Sequence, residues 1–117
     1  MRDPNAPLAG ERLPLASSAA SERDVMKHGL EQWTVLAEND QVRVLRFAPK
    51  KGAATPMHSH PATVVYVVKG GRVRIITPDG NAQDREYRSG TAFVRAAETH
   101  SDEALDDLDC VLVELKE

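Results

Sequence analysis

Three of the four histidines in this 117-residue chain fall where they could do chemistry together. His58 and His60 are separated by one residue in the run "TPMHSHP". On an extended strand, side chains at i and i+2 project from the same face. At ~3.3 Å per residue their Cα atoms stand roughly 6.5–7 Å apart, close enough for both imidazoles to reach one ion at about 2.0–2.1 Å. His100 lies forty residues beyond His60, at the end of another expected strand, and a sandwich can return it to the pair. Imidazole suits Zn, Cu, Fe and Ni alike, so ligand type does not choose the metal. Taken alone, an HxH pair is a weak signal, and a histidine cluster without metal is the competing reading. His28 lacks a paired partner and reads as a surface or helix-end residue.

Strands must position these side chains. From Trp33 the hydrophobic period is two: "WTVLAEN", a turn signal at Asn39-Asp40, then "QVRVLRF" with Leu45 and Phe47 on one face and Val42 and Val44 on the other. That pattern is a hairpin. "TVVYVV" (63–68) is β-branched or aromatic throughout, which suits a buried strand. Gly70-Gly71 breaks it, and "RVRIIT" follows up to a Pro78-Asp79-Gly80 turn. "AQDREYR" and "TAFVRA" are weaker strands, and "CVLVEL" is the last. Seven or eight short strands with regular turn signals, and no helical period after residue 32, make an all-β sandwich or barrel. Residues 1–24, rich in Pro, Ala and Ser, read as a partly flexible N-terminal arm, with a short helix possible from Ser17. Residues 25–117 read as one domain.

Around the histidines the sequence resembles the cupin superfamily, in particular small single-domain bacterial cupins. The family's first motif is a Gly, five residues, His-x-His, a short gap, a Glu, six residues and a Gly. "GAATPMHSHPATVVYVVKG" matches it at Gly52, His58, His60 and Gly70. The second motif runs from a Gly through a Pro-x-Gly turn to a His and an Asn. "GTAFVRAAETHSDEA" matches at Gly90 and His100, with Ala96, Glu98 and Ala104 departing from it. The resemblance spans roughly residues 33–116 and implies an antiparallel jelly-roll β-sandwich or barrel.

In the first motif Thr63 stands where the metal-binding Glu belongs, and no carboxylate lies between His60 and Gly70. The resemblance therefore implies a three-histidine site (His58, His60, His100) for one divalent transition metal: Fe, Zn, Ni, Mn or Cu. Three neutral imidazoles would leave the ion its full charge, making it a strong Lewis acid that attracts anionic ligands. Strict alternation from His60 points Ala62 and Val64 inward, unless the turn at Pro61 shifts the phase. Tyr66 and Phe93 are candidates to line an apolar substrate pocket, and Arg95 is a candidate cation at its mouth. Arg72 and Arg74 share a face that reads as solvated. The acidic residues around and after His100 (Glu98, Asp102, Glu103, Asp106, Asp107, Asp109) read as a solvated loop, from which Glu98 or Glu103 could swing in as ligand or base.

Composition narrows the function classes. A net charge of −3 offers no basic field, and the five aromatics are too few for a stacking platform, so nucleic acid is not expected as a partner. No apolar stretch reaches the 18 residues of a membrane span, and none near the N-terminus suits a signal peptide. The single Cys110 excludes an intrachain disulfide, and a buried packing role is expected for it. A cytoplasmic setting is compatible with that. The expectation is a metal-dependent, dioxygenase-like enzyme acting on a small organic molecule. The alternative is a non-catalytic small-molecule or metal-binding module. The resemblance also implies a homodimer.

Overall fold

The computed structural model describes residues 32–116. The expected arm at 1–24, the helix from Ser17 and His28 lie outside the described residues. The elements are β1 (Trp33–Glu38), β2 (Val42–Phe47), β3 (Ala54–His60), β4 (Thr63–Lys69), β5 (Gly71–Ile76), β6 (Ala82–Tyr87), β7 (Ala92–Arg95), β8 (Glu98–Ala104) and β9 (Asp109–Leu115). They form two sheets, one in the order β1-β2-β9-β4-β7 and one in the order β3-β8-β5-β6. All neighbouring strands pair antiparallel. The expected all-β antiparallel sandwich is the observed architecture. Among the described residues no helix is long and apolar enough to cross a membrane.

The turn residues do what their chemistry allows. In the β1–β2 hairpin, the Asn39 side-chain carbonyl accepts from the backbone N–H groups of Gln41 (2.7 Å) and Val42 (2.9 Å). This local bond stands in for backbone pairing and closes the turn. Gly80 takes a φ of 91° in the β5–β6 turn, a left-handed conformation that costs glycine little. At Gly70 the reason for glycine is space: a Cβ there would lie 2.1 Å from the Tyr87 carbonyl oxygen and 2.7 Å from the Ser89 nitrogen.

Alternation fills the core from both sheets. Leu45 and Phe47 of β2, Val65 and Val67 of β4, Cys110 and Leu112 of β9 face Val73 and Ile75 of β5. Trp33 stacks on Phe47, with ring centroids 4.3 Å apart. The phase does shift at Pro61: Thr63, Val65 and Val67 are buried, while Tyr66 and Val68 are exposed. β4 is thus interior to its sheet but apolar on its outer face as well. Arg72 and Arg74 lie on the solvated face, paired with Asp106 and Asp84. One expectation is corrected outright. The acidic stretch beginning at Glu98 is not a loop at its start but strand β8, held between β3 and β5.

Candidate metal centre

Strands β3 and β8 carry all three histidines. Their register sets His58 opposite His100, His60 opposite Glu98 and Thr55 opposite Asp102. Between Thr55 and His58 the register shifts, so three steps along β3 match two along β8. Such a bulge re-aims side chains at the cost of one unpaired residue. Here it lets Thr55, His58 and His60 all turn inward although simple alternation would separate the first from the other two. On β8, plain alternation brings His100, Asp102 and Ala104 inward.

The three imidazoles are buried and mutually close. Ring centroids are 4.8 Å apart for His58–His60 and for His58–His100, and 5.4 Å for His60–His100. The nitrogens they offer to an ion lie within 4.8 Å of one another. Each ring is fixed through its Nδ1. His58 Nδ1 donates to the Pro56 carbonyl (2.7 Å), His60 Nδ1 to Glu114 Oε2 (2.7 Å) and His100 Nδ1 to Glu98 Oε1 (2.7 Å). A carbonyl accepts, and so do two carboxylates that each receive a guanidinium, so Nδ1 carries the proton in each ring. The Nε2 atoms are then the acceptors that the three rings offer to an ion.

Each carboxylate is anchored in turn. Glu114, buried on β9, receives Arg43 Nε at 2.9 Å and Nη2 at 2.6 Å. Glu98 receives Arg85 Nη2 at 3.1 Å. Burial pushes the Glu98 carboxyl up, but the Arg85 guanidinium and His100 hold it below its usual range. Burial, and after it the neighbouring His58 and His60, push His100 down to about 3. His100 is therefore neutral across the physiological range, as a metal ligand must be.

The donor set fits a metal ion. Several acceptors converge on one buried space, and His60 Nε2 has no hydrogen-bond partner among the described residues. A buried acceptor left in this way is costly unless something fills it, and a cation does so. The adjoining cavity is about 20 Å³, lined among others by Trp33, Tyr87, Arg95 and Asp102.

The other expected site residues divide. Arg95 does border the cavity, its Nη1 donating to the Tyr87 hydroxyl at 3.2 Å. Phe93 packs on Tyr87 and the core, with ring centroids 5.3 Å apart, behind the cavity wall. Tyr66 is not brought to the histidines. It is 47% exposed on the outer face of β4, because the phase shift at Pro61 turns Thr63, Val65 and Val67 inward instead. Thr63 itself donates to the Pro61 carbonyl at 2.7 Å and so satisfies its own turn. Glu98 supports His100 from outside the metal space, and Glu103 lies on the opposite face of β8 from Asp102.

Sequence reasoning missed Glu114, Arg43 and Asp102. A signal for all three was present. Each shares the parity of buried neighbours on its strand: Glu114 with Cys110 and Leu112, Arg43 with Leu45 and Phe47, Asp102 with His100 and Ala104. A charge on a buried face asks for a partner.

No family model matches the chain, and no curated protein matches it. Solved structures do. A cupin domain from Bordetella pertussis superposes with a TM-score of 0.65 at 23% identity, over 76% of this chain and 100% of that one. A cupin superfamily protein from Desulfitobacterium hafniense gives 0.57 at 15% identity, over 73% of this chain and 76% of that one. KdgF from Halomonas gives 0.52 at 21% identity, over 73% and 79%. These likenesses establish a cupin fold.

Proposed function

We propose that this cupin-fold chain holds one divalent transition metal at His58, His60 and His100 and uses it on a small organic molecule, with dioxygenase-type chemistry as the working subclass. One observation carries the reading: three buried imidazoles, each with Nδ1 committed to an acceptor, present their lone pairs to one space. When bound, the ion supplies electrophilic activation and, for iron, a site for O₂ chemistry. Imidazole suits Fe, Zn, Ni and Cu, with Mn, a metal of oxygen ligands, as the fifth candidate and cellular supply deciding among them. Arg95, steadied by Tyr87, supplies a cation for an anionic group on the substrate. Trp33 and Phe47 keep the inner wall dry. Phe93 braces Tyr87 from behind.

A second reading has its own support. A cavity of about 20 Å³ accommodates roughly one water-sized occupant, far less than an organic substrate. A non-catalytic metal-binding or sensing module needs no more room than that.

Oxygen uptake separates the two. The Fe(II)-loaded full chain, offered a panel of β-diketones, thiols and catechols, is expected to consume O₂ with one class. Tight metal binding without turnover of any of them supports the binding module instead.

We also propose a homodimer formed through the outer face of the five-stranded sheet. Val44, Val113, Val64 and Val94 form one continuous rung across four strands there. Tyr66 and Val68 extend the patch, and Val94 is 74% exposed. A second copy of this face would cover it, as apolar patches of this kind require. A reducing, cytoplasmic setting accords with the one buried cysteine.

A further inference from the structure

Asp102 is a buried carboxylate that the histidine motif does not account for. It is 5% exposed, two residues after His100 on β8 and on the same inward face. Its two oxygens have different company. Oδ1 accepts from the Thr55 hydroxyl at 2.7 Å, across the rung created by the β3 bulge. Oδ2 points into the histidine cluster, 3.6 Å from His100 Nε2 and 3.8 Å from His58 Nε2. Those separations are too long for hydrogen bonds. They are close to what two donors need to share an ion: at about 2.0–2.2 Å per bond, neighbouring ligands stand roughly 3.0–3.5 Å apart.

We infer that Asp102 Oδ2 is a fourth protein ligand, making the site three histidines and one aspartate, with Thr55 as the residue that positions the carboxylate. This inference rests on the metal-centre reading and deepens it. The carboxylate missing from the first motif, where Thr63 opens β4, is supplied from β8, the second histidine strand. The exchange works because the β3 bulge sets Thr55 opposite Asp102 and so fixes which oxygen faces the histidines. It also changes the electrostatics expected from the sequence. A divalent ion among three neutral imidazoles and one carboxylate keeps a net charge of one, not two. The centre is then a milder Lewis acid and a tighter metal trap than a bare three-histidine site.

The test uses Co²⁺ as the probe, because its visible absorption reports the number and type of ligands. The metal-free full chain is titrated with CoCl₂ against a chromophoric chelator, alongside Asp102→Asn, Thr55→Val and His60→Ala. Asp102→Asn is expected to bind roughly 10–100-fold more weakly or worse, with a changed spectrum. Thr55→Val should weaken binding less and keep the wild-type bands. A carboxylate retained for stability alone would lower the melting temperature of the metal-free protein when replaced. A ligand instead shrinks the rise in melting temperature that Co²⁺ produces, leaving the metal-free value nearly unchanged. Wild-type crystals grown with Zn²⁺ give an answer that needs no variant. Oδ2 within about 2.0–2.2 Å of the ion supports the assignment, and an oxygen beyond 3 Å overturns it. Equal Co²⁺ affinity and spectra for wild type and Asp102→Asn overturn the role of Asp102 while leaving the three-histidine centre intact. No Co²⁺ binding by the wild type removes both.

Discussion

At the scale of single residues, the centre depends on what stands behind each histidine as much as on the histidines. Arg43, Glu114 and His60 form a relay in which a guanidinium holds a carboxylate, the carboxylate holds Nδ1, and the lone pair at Nε2 is thereby aimed. Replacing Glu114 by Gln removes the fixed acceptor and lets the ring turn or change tautomer. Metal affinity is expected to fall about 10–100-fold while the stoichiometry stays at one, as competition titration would show. Cys110 makes a contrasting case. Burial pushes its thiol up to about 11, so it is protonated and unreactive in the folded chain. A thiol reagent should label it only on unfolding; rapid labelling of the native protein would contradict this burial. The linkage has a definite sign. The unfolded thiol ionises near pH 9 and the folded one near 11, so the unfolded chain binds fewer protons in between and stability falls as pH rises through that window. The histidines were legible because their spacing is itself a chemical pattern. Glu114 and Asp102 were legible only in part: their parity with buried neighbours marks a charge on an inward face, but the partner that gives it a role lies on another strand.

At the scale of elements, two departures from regular strand geometry build the site. The β3 bulge brings Thr55 and His58 inward together, and the turn at Pro61 resets the alternation before β4. Neither can be read from periodicity, since one inserted residue reverses every face that follows. That is why Tyr66 was expected in the pocket and stands outside it, and why Thr63 fills the core beside Val65. The β1–β2 hairpin was legible because Asn39-Asp40 is a local signal, whereas β8 was hidden because its acidic residues obscured the alternation of His100, Asp102 and Ala104. Where β4 gives way to β5, the backbone approaches Tyr87 and Ser89 too closely for any side chain at Gly70. Gly70→Ala is expected to cost about 1–3 kcal/mol, read as a lower denaturant midpoint at unchanged slope. An unchanged midpoint would mean that the strand ends move apart freely.

At the scale of the whole molecule, the two sheets are joined at the centre as well as by the apolar core. His58, His60 and His100 belong to one sheet, while Glu114 and Arg43, which hold His60, belong to the other. Metal binding therefore reports on the packing of the sandwich and should raise its melting temperature by mass action. The apolar rung on the outer face makes a separate prediction. Val94→Asp is expected to convert a dimer into a monomer in sedimentation velocity, without loss of bound metal. A wild-type chain that sediments as a monomer would contradict the dimer. The central claim is the metal centre itself, and metal content tests it most directly. The full chain, purified without a histidine tag, is analysed for bound transition metal beside His58→Ala, His60→Ala and His100→Ala. The account predicts close to one ion per wild-type chain and a marked loss in every variant. Equal metal content in the wild type and the three variants, or none in the wild type after incubation with each candidate ion, would contradict it.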